Sequence, residues 1–324
     1  MDISTKEIFE ENFWLNPVFF LEISRIKSGI AEGVILQKIF EPDSSALKIL
    51  NSLFHKFLKN EIDVSELFME VMGIERKIIR YCMRHNLFKV IRALEVELVP
   101  IVVFTNRILR NPPLSPDIQF FVFEKNSKRY IRKIRKIERR VVGSSIDFED
   151  GRERLMRVEG RILGYPKCCI ESYIEGKRNM SAENRIVIEG IDQGIFDSLL
   201  ESFRNSWIVS FPQFFTSNFY PCSVCCENAT KVGLAVEQWL EYEHFVTAFR
   251  VRTMVNALYL LVSGYKAFKS QSRYGKMLAP YFSSVGRDDL ELISIIQEHI
   301  SDITSFTNIF MSRILSFSKQ GRSV

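Results

Sequence analysis

The sequence predicts an α+β protein, predominantly α-helical, with a helical N-terminal block, a small inserted β-sheet and a helical cysteine-bearing region. Three observations carry this expectation. Apolar residues recur at three- and four-residue intervals up to about residue 92. Two β-branched and aromatic runs, Glu95–Phe104 and Ile118–Phe123, then flank the turn Asn111-Pro112-Pro113-Leu114-Ser115-Pro116. Helical spacing returns near residue 126 and dominates after Cys222. No glycine-rich phosphate loop follows either strand candidate, so nothing points to a nucleotide site.

The N-terminal block reads as helices in series. An amphipathic stretch begins at Thr5-Lys6-Glu7 and is interrupted at Asn16-Pro17, and Val18 to Phe40 continues the helical spacing. Pro42-Asp43-Ser44-Ser45 is a turn and cap ahead of a helix over Ala46 to Leu58, with Leu47, Leu50, Leu53 and Phe57 on one face. Asp63 caps the next helix, whose apolar positions run from Leu67 to Met83. After the sheet, Tyr130, Ile134, Ile137 and Val141 make the apolar stripe of a helix over residues 126–141, ended by Gly143-Ser144-Ser145. Asp150 to Leu163 is a helix leading to Gly164. Beyond Cys222 the pattern fits one long helix or two in series, then a last helix near Asp288 to Ile300. The expected division is 1–92 as a helical bundle, 93–265 as a cysteine-motif domain and 266–324 as a helical extension.

At 324 residues the chain can form one large domain or two medium ones. Its longest uninterrupted apolar runs, Leu98–Phe104 and Ala257–Val262, fall short of the ~20 residues that cross a bilayer. Met1-Asp2-Ile3-Ser4 lacks the start of a signal peptide, and the expected location is the cytoplasm. The net charge of +5 is uneven. Residues 125–140 hold nine basic residues and one acid, Glu138, for a local charge of +8.

Five of the six cysteines fall in two short blocks, Gly164-Tyr165-Pro166-Lys167-Cys168-Cys169 and Pro221-Cys222-Ser223-Val224-Cys225-Cys226. In a reducing compartment such clusters bind metal or do redox chemistry more often than they form disulfides. Each block has a proline placed to start a helix, which would set the cysteines in a first turn. A thiolate there is stabilised by free backbone N–H groups and the positive end of the helix dipole. Cys222 and Cys226, four apart, would share a helix face. Four thiolates suit an iron–sulfur cluster or zinc. The first block is CC rather than CxxC, which departs from the zinc ribbon and puts iron–sulfur ahead of zinc. A metal-free thiol site and simple buried thiols are the remaining readings. Tyr165, Pro166 and Ser223 are the candidate supporting residues, and Tyr173 and Tyr220 flank the blocks as packing. Cys82 reads as a buried core thiol.

The pair Gly164-Tyr165-Pro166-x-Cys168-Cys169 and Pro221-Cys222-Ser223-x-x-Cys226 resembles the paired motif of an uncharacterised, largely archaeal family, domain-of-unknown-function family 483. The similarity covers roughly residues 100 to 265. It implies Cys168, Cys169, Cys222, Ser223 and Cys226 as the matched positions, with Cys225 an additional cysteine held in reserve.

The four histidines, His55, His85, His244 and His299, are scattered and form no ligand pattern. The basic segment offers a second site through Lys128, Arg129, Arg132, Lys133, Arg135, Lys136, Arg139 and Arg140. Such a face binds phosphate backbones, with RNA or another anionic partner expected, or lies solvated. The sequence therefore reads as a cysteine-ligated metalloprotein, iron–sulfur ahead of zinc, acting in RNA modification or processing. The alternatives are a non-enzymatic RNA-binding or assembly protein with a structural cysteine cluster, and a metal-free thiol-redox protein.

Overall fold

A computed structural model describes residues 3–36, 44–105, 114–124, 128–176, 181–205, 207–217, 219–299 and 307. Over them the chain forms fourteen α-helices and one three-stranded antiparallel sheet, an α+β fold that is predominantly helical, as expected. Pro42-Asp43, Asn111-Pro112-Pro113, Lys125 and the basic tail from Arg313 lie outside the described residues. The chain divides into two compact units, one of Asp2–Asn12 and Arg25–Gly164, the other including Phe13–Ser24 and Tyr165–Val324.

The first unit is built on the sheet. In chain order it contains α1 (Ile3–Asn12), the end of α2 (Pro17–Lys27), β1 (Gly33–Ile35), α3 (Ser44–Leu58), α4 (Val64–Cys82), α5 (Asn86–Ala93), β2 (Val96–Thr105), β3 (Leu114–Glu124), α6 (Lys128–Val142) and α7 (Phe148–Ile162). Helices α3, α4 and α5, expected within an N-terminal bundle, pack against these strands. Strand β3 lies between β1 and β2, and its Val122 stands opposite both Val34 and Leu98. Strand β1 corrects the expected helix over 18–40: α2 ends at Lys27, and Gly29 takes a left-handed φ of +73° that turns the chain into the strand.

Side chains alternate across a strand, so β2 presents two faces. Ile101 and Val103 join Phe121 and Phe123 beneath Ile131 and Ile134 of α6 and Leu155, Val158 and Ile162 of α7. On the other face Phe104 packs against Phe54 of α3 and Phe68 of α4, with ring centroids 5.3 and 5.5 Å away. Covering both faces explains the unbroken apolar run at Ile101–Phe104, where a half-exposed strand would alternate with polar residues.

Two carboxylates satisfy the open edge of β2. Glu75 of α4 accepts from the Val102 N–H at 2.9 Å, and Glu138 of α6 accepts from Phe104 and Thr105 N–H at 3.1 Å each and from the Thr105 hydroxyl at 2.8 Å. Burial pushes the Glu75 carboxyl above its ordinary value, opposed by the Arg135 guanidinium beside it. Helix α6 thus buries Ile131, Ile134, Glu138, Val141 and Val142, a correction to the expected stripe: Tyr130 and Ile137 are only half-buried.

The second unit is helical. It holds the start of α2, then α8 (Lys167–Gly176), α9 (Ala182–Asp192), α10 (Ile195–Arg204), a 3-10 turn (Pro212–Phe214), α11 (Glu227–Leu240), α12 (Glu243–Lys269), α13 (Arg273–Ser284) and α14 (Arg287–His299). The helical pattern after Cys222 is two helices, because Glu241 takes φ +53° and breaks α11 from α12. Helix α12 touches α9, α10, α11, α13 and α14. It is long and apolar enough to cross a bilayer, which counting uninterrupted apolar runs had not revealed. Its most apolar 18-residue window is 78% buried inside the protein, so it serves as a core helix.

That core also contains charge. Arg252 of α12 pairs with Glu22 of α2 and donates to the Val18 carbonyl oxygen at 3.4 Å, while the Thr216 hydroxyl donates to Glu22 at 2.5 Å. Both charged side chains are under 10% exposed, at 2% and 8%. Removing one partner strands the other charge in a low-dielectric interior. Arg252→Ala is expected to lower unfolding stability by about 3–5 kcal/mol in chemical denaturation, and the double variant Glu22→Met/Arg252→Met to recover a large part of that loss.

Candidate metal centre

The first cysteine block opens a helix, as its proline requires, but one position later than expected. The Pro166 carbonyl accepts from Cys169 N–H and Ile170 N–H at 3.0 Å each, so Pro166 is the capping residue and Lys167 the first helical one. Cys168 and Cys169 are then the second and third residues of α8. Gly164 precedes them at φ +71°, where a Cβ would collide with the Ile30 carbonyl oxygen, so glycine is required there.

The second block is a turn rather than the start of a helix, which corrects the expected helical face for Cys222, Cys225 and Cys226. Cys226 N–H donates to the Ser223 carbonyl at 3.1 Å, and Cys226 itself caps α11, its carbonyl accepting from Thr230 N–H at 3.0 Å. The Ser223 hydroxyl accepts from Cys225 N–H at 3.1 Å and donates to Glu189 of α9. This serine therefore holds the turn from inside and fastens it to a neighbouring helix.

Four sulfur atoms meet as a result. Cys168, Cys169, Cys222 and Cys226 each offer a Sγ, and all four lie within 4.8 Å of one another. Cys168 Sγ is 3.8 Å from Cys169 Sγ and 3.9 Å from Cys226 Sγ, and the last two are 3.6 Å apart. Cys169 and Cys226 are buried, Cys168 and Cys222 half-buried, and Cys225 is exposed outside the group. Two donors reach the sulfurs: Cys222 N–H to Cys169 Sγ at 3.3 Å, and the Asn228 amide to Cys168 Sγ at 3.5 Å. The arrangement is that of a cysteine-ligated metal site.

Burial resists ionisation of the Cys168, Cys169 and Cys222 thiols. It pushes Cys169 up strongly, and Cys222 up to about 12 with Cys226 adding to the effect. Cys168 goes the other way: burial works to raise it, but hydrogen bonds from Asn228 and the neighbouring thiols hold it below its ordinary value. Without a cation the group cannot carry four negative charges in this space.

The remaining candidates fall as follows. Tyr165 packs against Phe219 and Phe215, with centroids 4.7 and 6.2 Å away, and Tyr173 stacks on Tyr220 at 6.3 Å. Cys82 is a buried core thiol, pushed up to about 11 by burial. No histidine joins the four sulfurs among the described residues, and His244 begins α12 rather than continuing α11. On α6, Lys128, Arg129, Arg132, Lys133, Lys136, Arg139 and Arg140 are exposed. Arg135 is turned inward to Glu75, which removes it from that face; Arg129 pairs with Glu32 at 3.2 Å, and Arg139 bonds Ser65. Asn228, Glu189 and the Cys222 amide were not foreseen. Asn228, two residues past Cys226, was within reach of a reading that looked for donors at the start of α11.

Residues 116–256, a stretch that includes both cysteine blocks, are similar to the family described as Protein of unknown function (DUF483). The Uncharacterized protein MJ1106 of Methanocaldococcus jannaschii is 32% identical over 74 residues, 23% of this chain. The chain spans about a third of that relative's length, 35%. No solved structure matches the chain.

Groups that orient ligands from behind are worth 10–100-fold in metal affinity. Ser223→Ala, which loses the bonds to Glu189 and Cys225 N–H, is expected to weaken cobalt(II) binding by roughly that factor in a chelator-competition titration, with the tetrathiolate spectrum retained.

Proposed function

We propose that the four thiolates of Cys168, Cys169, Cys222 and Cys226 hold a single tetrahedral ion, zinc, and that the ion is structural. The observation that carries this reading is the sulfur spacing. Zinc–thiolate bonds of about 2.3 Å in a tetrahedron put neighbouring sulfurs roughly 3.8 Å apart. The separations among Cys168, Cys169 and Cys226 are 3.6, 3.8 and 3.9 Å, and the Cys222 sulfur lies within 4.8 Å of each of them. An iron–sulfur cluster distributes four thiolates over two or four iron atoms around a larger body, and thiolates on different irons lie well beyond the 4.8 Å that contains all four sulfurs here. The spacing therefore favours zinc over the cluster that the cysteine pattern alone had put first.

Catalytic zinc keeps one position open for water or substrate, whereas four protein thiolates fill every position. Bound there, the ion supplies charge neutralisation and a cross-link between the start of α8 and the turn before α11. Cys222 N–H and the Asn228 amide spread the remaining negative charge. This supports a binding or assembly protein with a structural cysteine cluster over an enzyme acting at these sulfurs.

Anaerobically purified protein should be colourless, with one zinc per chain and no acid-labile sulfide. A brown protein carrying iron and sulfide would sink the reading, and so would a metal-free chain of unchanged stability. Because the ion displaces thiol protons, zinc should be released as pH falls. Cys168→Ser and Cys222→Ser should each lose zinc and melt at the temperature of the chelator-stripped wild type. Folded variants with unchanged melting would argue against a structural role.

A further inference from the structure

The unit built on the sheet carries a face that the thiolate site does not use. Every exposed position of α6 is lysine or arginine: Lys128, Arg129, Arg132, Lys133, Lys136, Arg139 and Arg140. Arg129 and Arg139 are engaged by Glu32 and Ser65. Lys128, Arg132, Lys136 and Arg140 have no carboxylate partner among the described residues, and Arg132 Nε donates only to the Lys128 carbonyl of its own helix, at 3.3 Å. These four stand at intervals of four residues, an inclined row rising about 6 Å per step. That interval is close to the spacing of successive phosphates along one nucleic-acid strand.

The row ends at a groove. Lys128 lines an open depression of about 720 Å³ between α4, α5 and β2, with Ile79, Phe88, Ile91 and Leu98 among its apolar lining. Its charged lining is balanced, Lys128 and Arg92 against Glu95 and Glu97. A balanced, apolar groove suits a flat, neutral, hydrogen-bonding group rather than a phosphate. A base beside a phosphate-spaced cationic row is the combination that single-stranded nucleic acid offers. A bilayer fits less well, because surface helices that bind one insert exposed apolar residues, and α6 exposes none.

We propose that α6 and the adjoining groove bind single-stranded nucleic acid, with the backbone along Lys128, Arg132, Lys136 and Arg140 and a base in the groove against Phe88. The inference is independent of the metal reading. Its test is fluorescence anisotropy of the full chain, as purified, with a labelled single-stranded RNA across a salt series. The duplex of the same sequence, phosphatidylserine vesicles and polyglutamate serve as competitors.

Arg132→Gln/Lys136→Gln should weaken binding about tenfold or more, and flatten the slope of log affinity against log salt by about 1.4, two phosphate contacts on a single strand. Phe88→Ala should weaken binding about 5- to 100-fold with the slope unchanged. Phe88 is half-buried, so the half-exposed Met83 provides a second groove variant less exposed to misfolding: Met83→Glu should act in the same direction. No binding to the single strand overturns the proposal. So does binding unaffected by these variants, equal competition by duplex or polyglutamate, or preference for the vesicles.

Discussion

Four sulfurs within 4.8 Å impose the constraint from which the cysteine-bearing region takes its local shape. As thiolates they repel one another strongly in a partly buried space, and as thiols they leave the site without a bonding centre. Their meeting depends on two different backbone devices. One is a proline-capped helix start that brings the sulfurs of two consecutive cysteines to 3.8 Å from each other in a first turn. The other is a serine-pinned turn that folds Cys222 back toward Cys226. The bond from Ser223 to Glu189 extends the constraint to α9, so three helices are placed by one cluster of side chains.

The sheet unit solves a different problem with the same economy of residues. Strand β2 is an edge strand, and an open edge is a template for unwanted pairing. Glu75 and Glu138 occupy its N–H groups, and Arg135 sits against one of those carboxylates. The apolar residues of α6 bury with them, so the cations of that helix are left to the outside. The inward Glu138 and the outward bases of α6 are two aspects of one packing arrangement.

Much of this was legible from local pattern. The two strands, the Asp63 cap, the terminal glycine-serine stop of α6 and each of the two cysteine blocks rest on signals contained within a dozen residues. What escaped depends on partners far away in sequence. Strand β1 is three residues long, too short to show an alternation, and exists because β3 pairs with it. The turn at Cys222–Cys226 looked helical because cysteines three and four apart fit a helix face as well as a knuckle. Ser223 tips the balance through its own hydroxyl and through Glu189, 34 residues away. Arg135 looked like its neighbours in a basic run, and only Glu75, 60 residues earlier, distinguishes it.

The separation of the two cysteine blocks has a kinetic corollary. Cys169 and Cys222 are 53 residues apart, so bringing the pairs together closes a long loop before any sulfur–metal bond spans it. The entropic toll of that closure is about 3–4 kcal/mol on the logarithmic scaling for flexible loops. A newly made chain can offer an ion only the thiols of one block at a time, a weak and indiscriminate site. Tight and selective capture waits until α9, α10 and the 3-10 turn have brought the ends together. On the metal reading proposed above, loading is a late event of folding, coupled to long-range topology rather than to the cysteine motifs themselves.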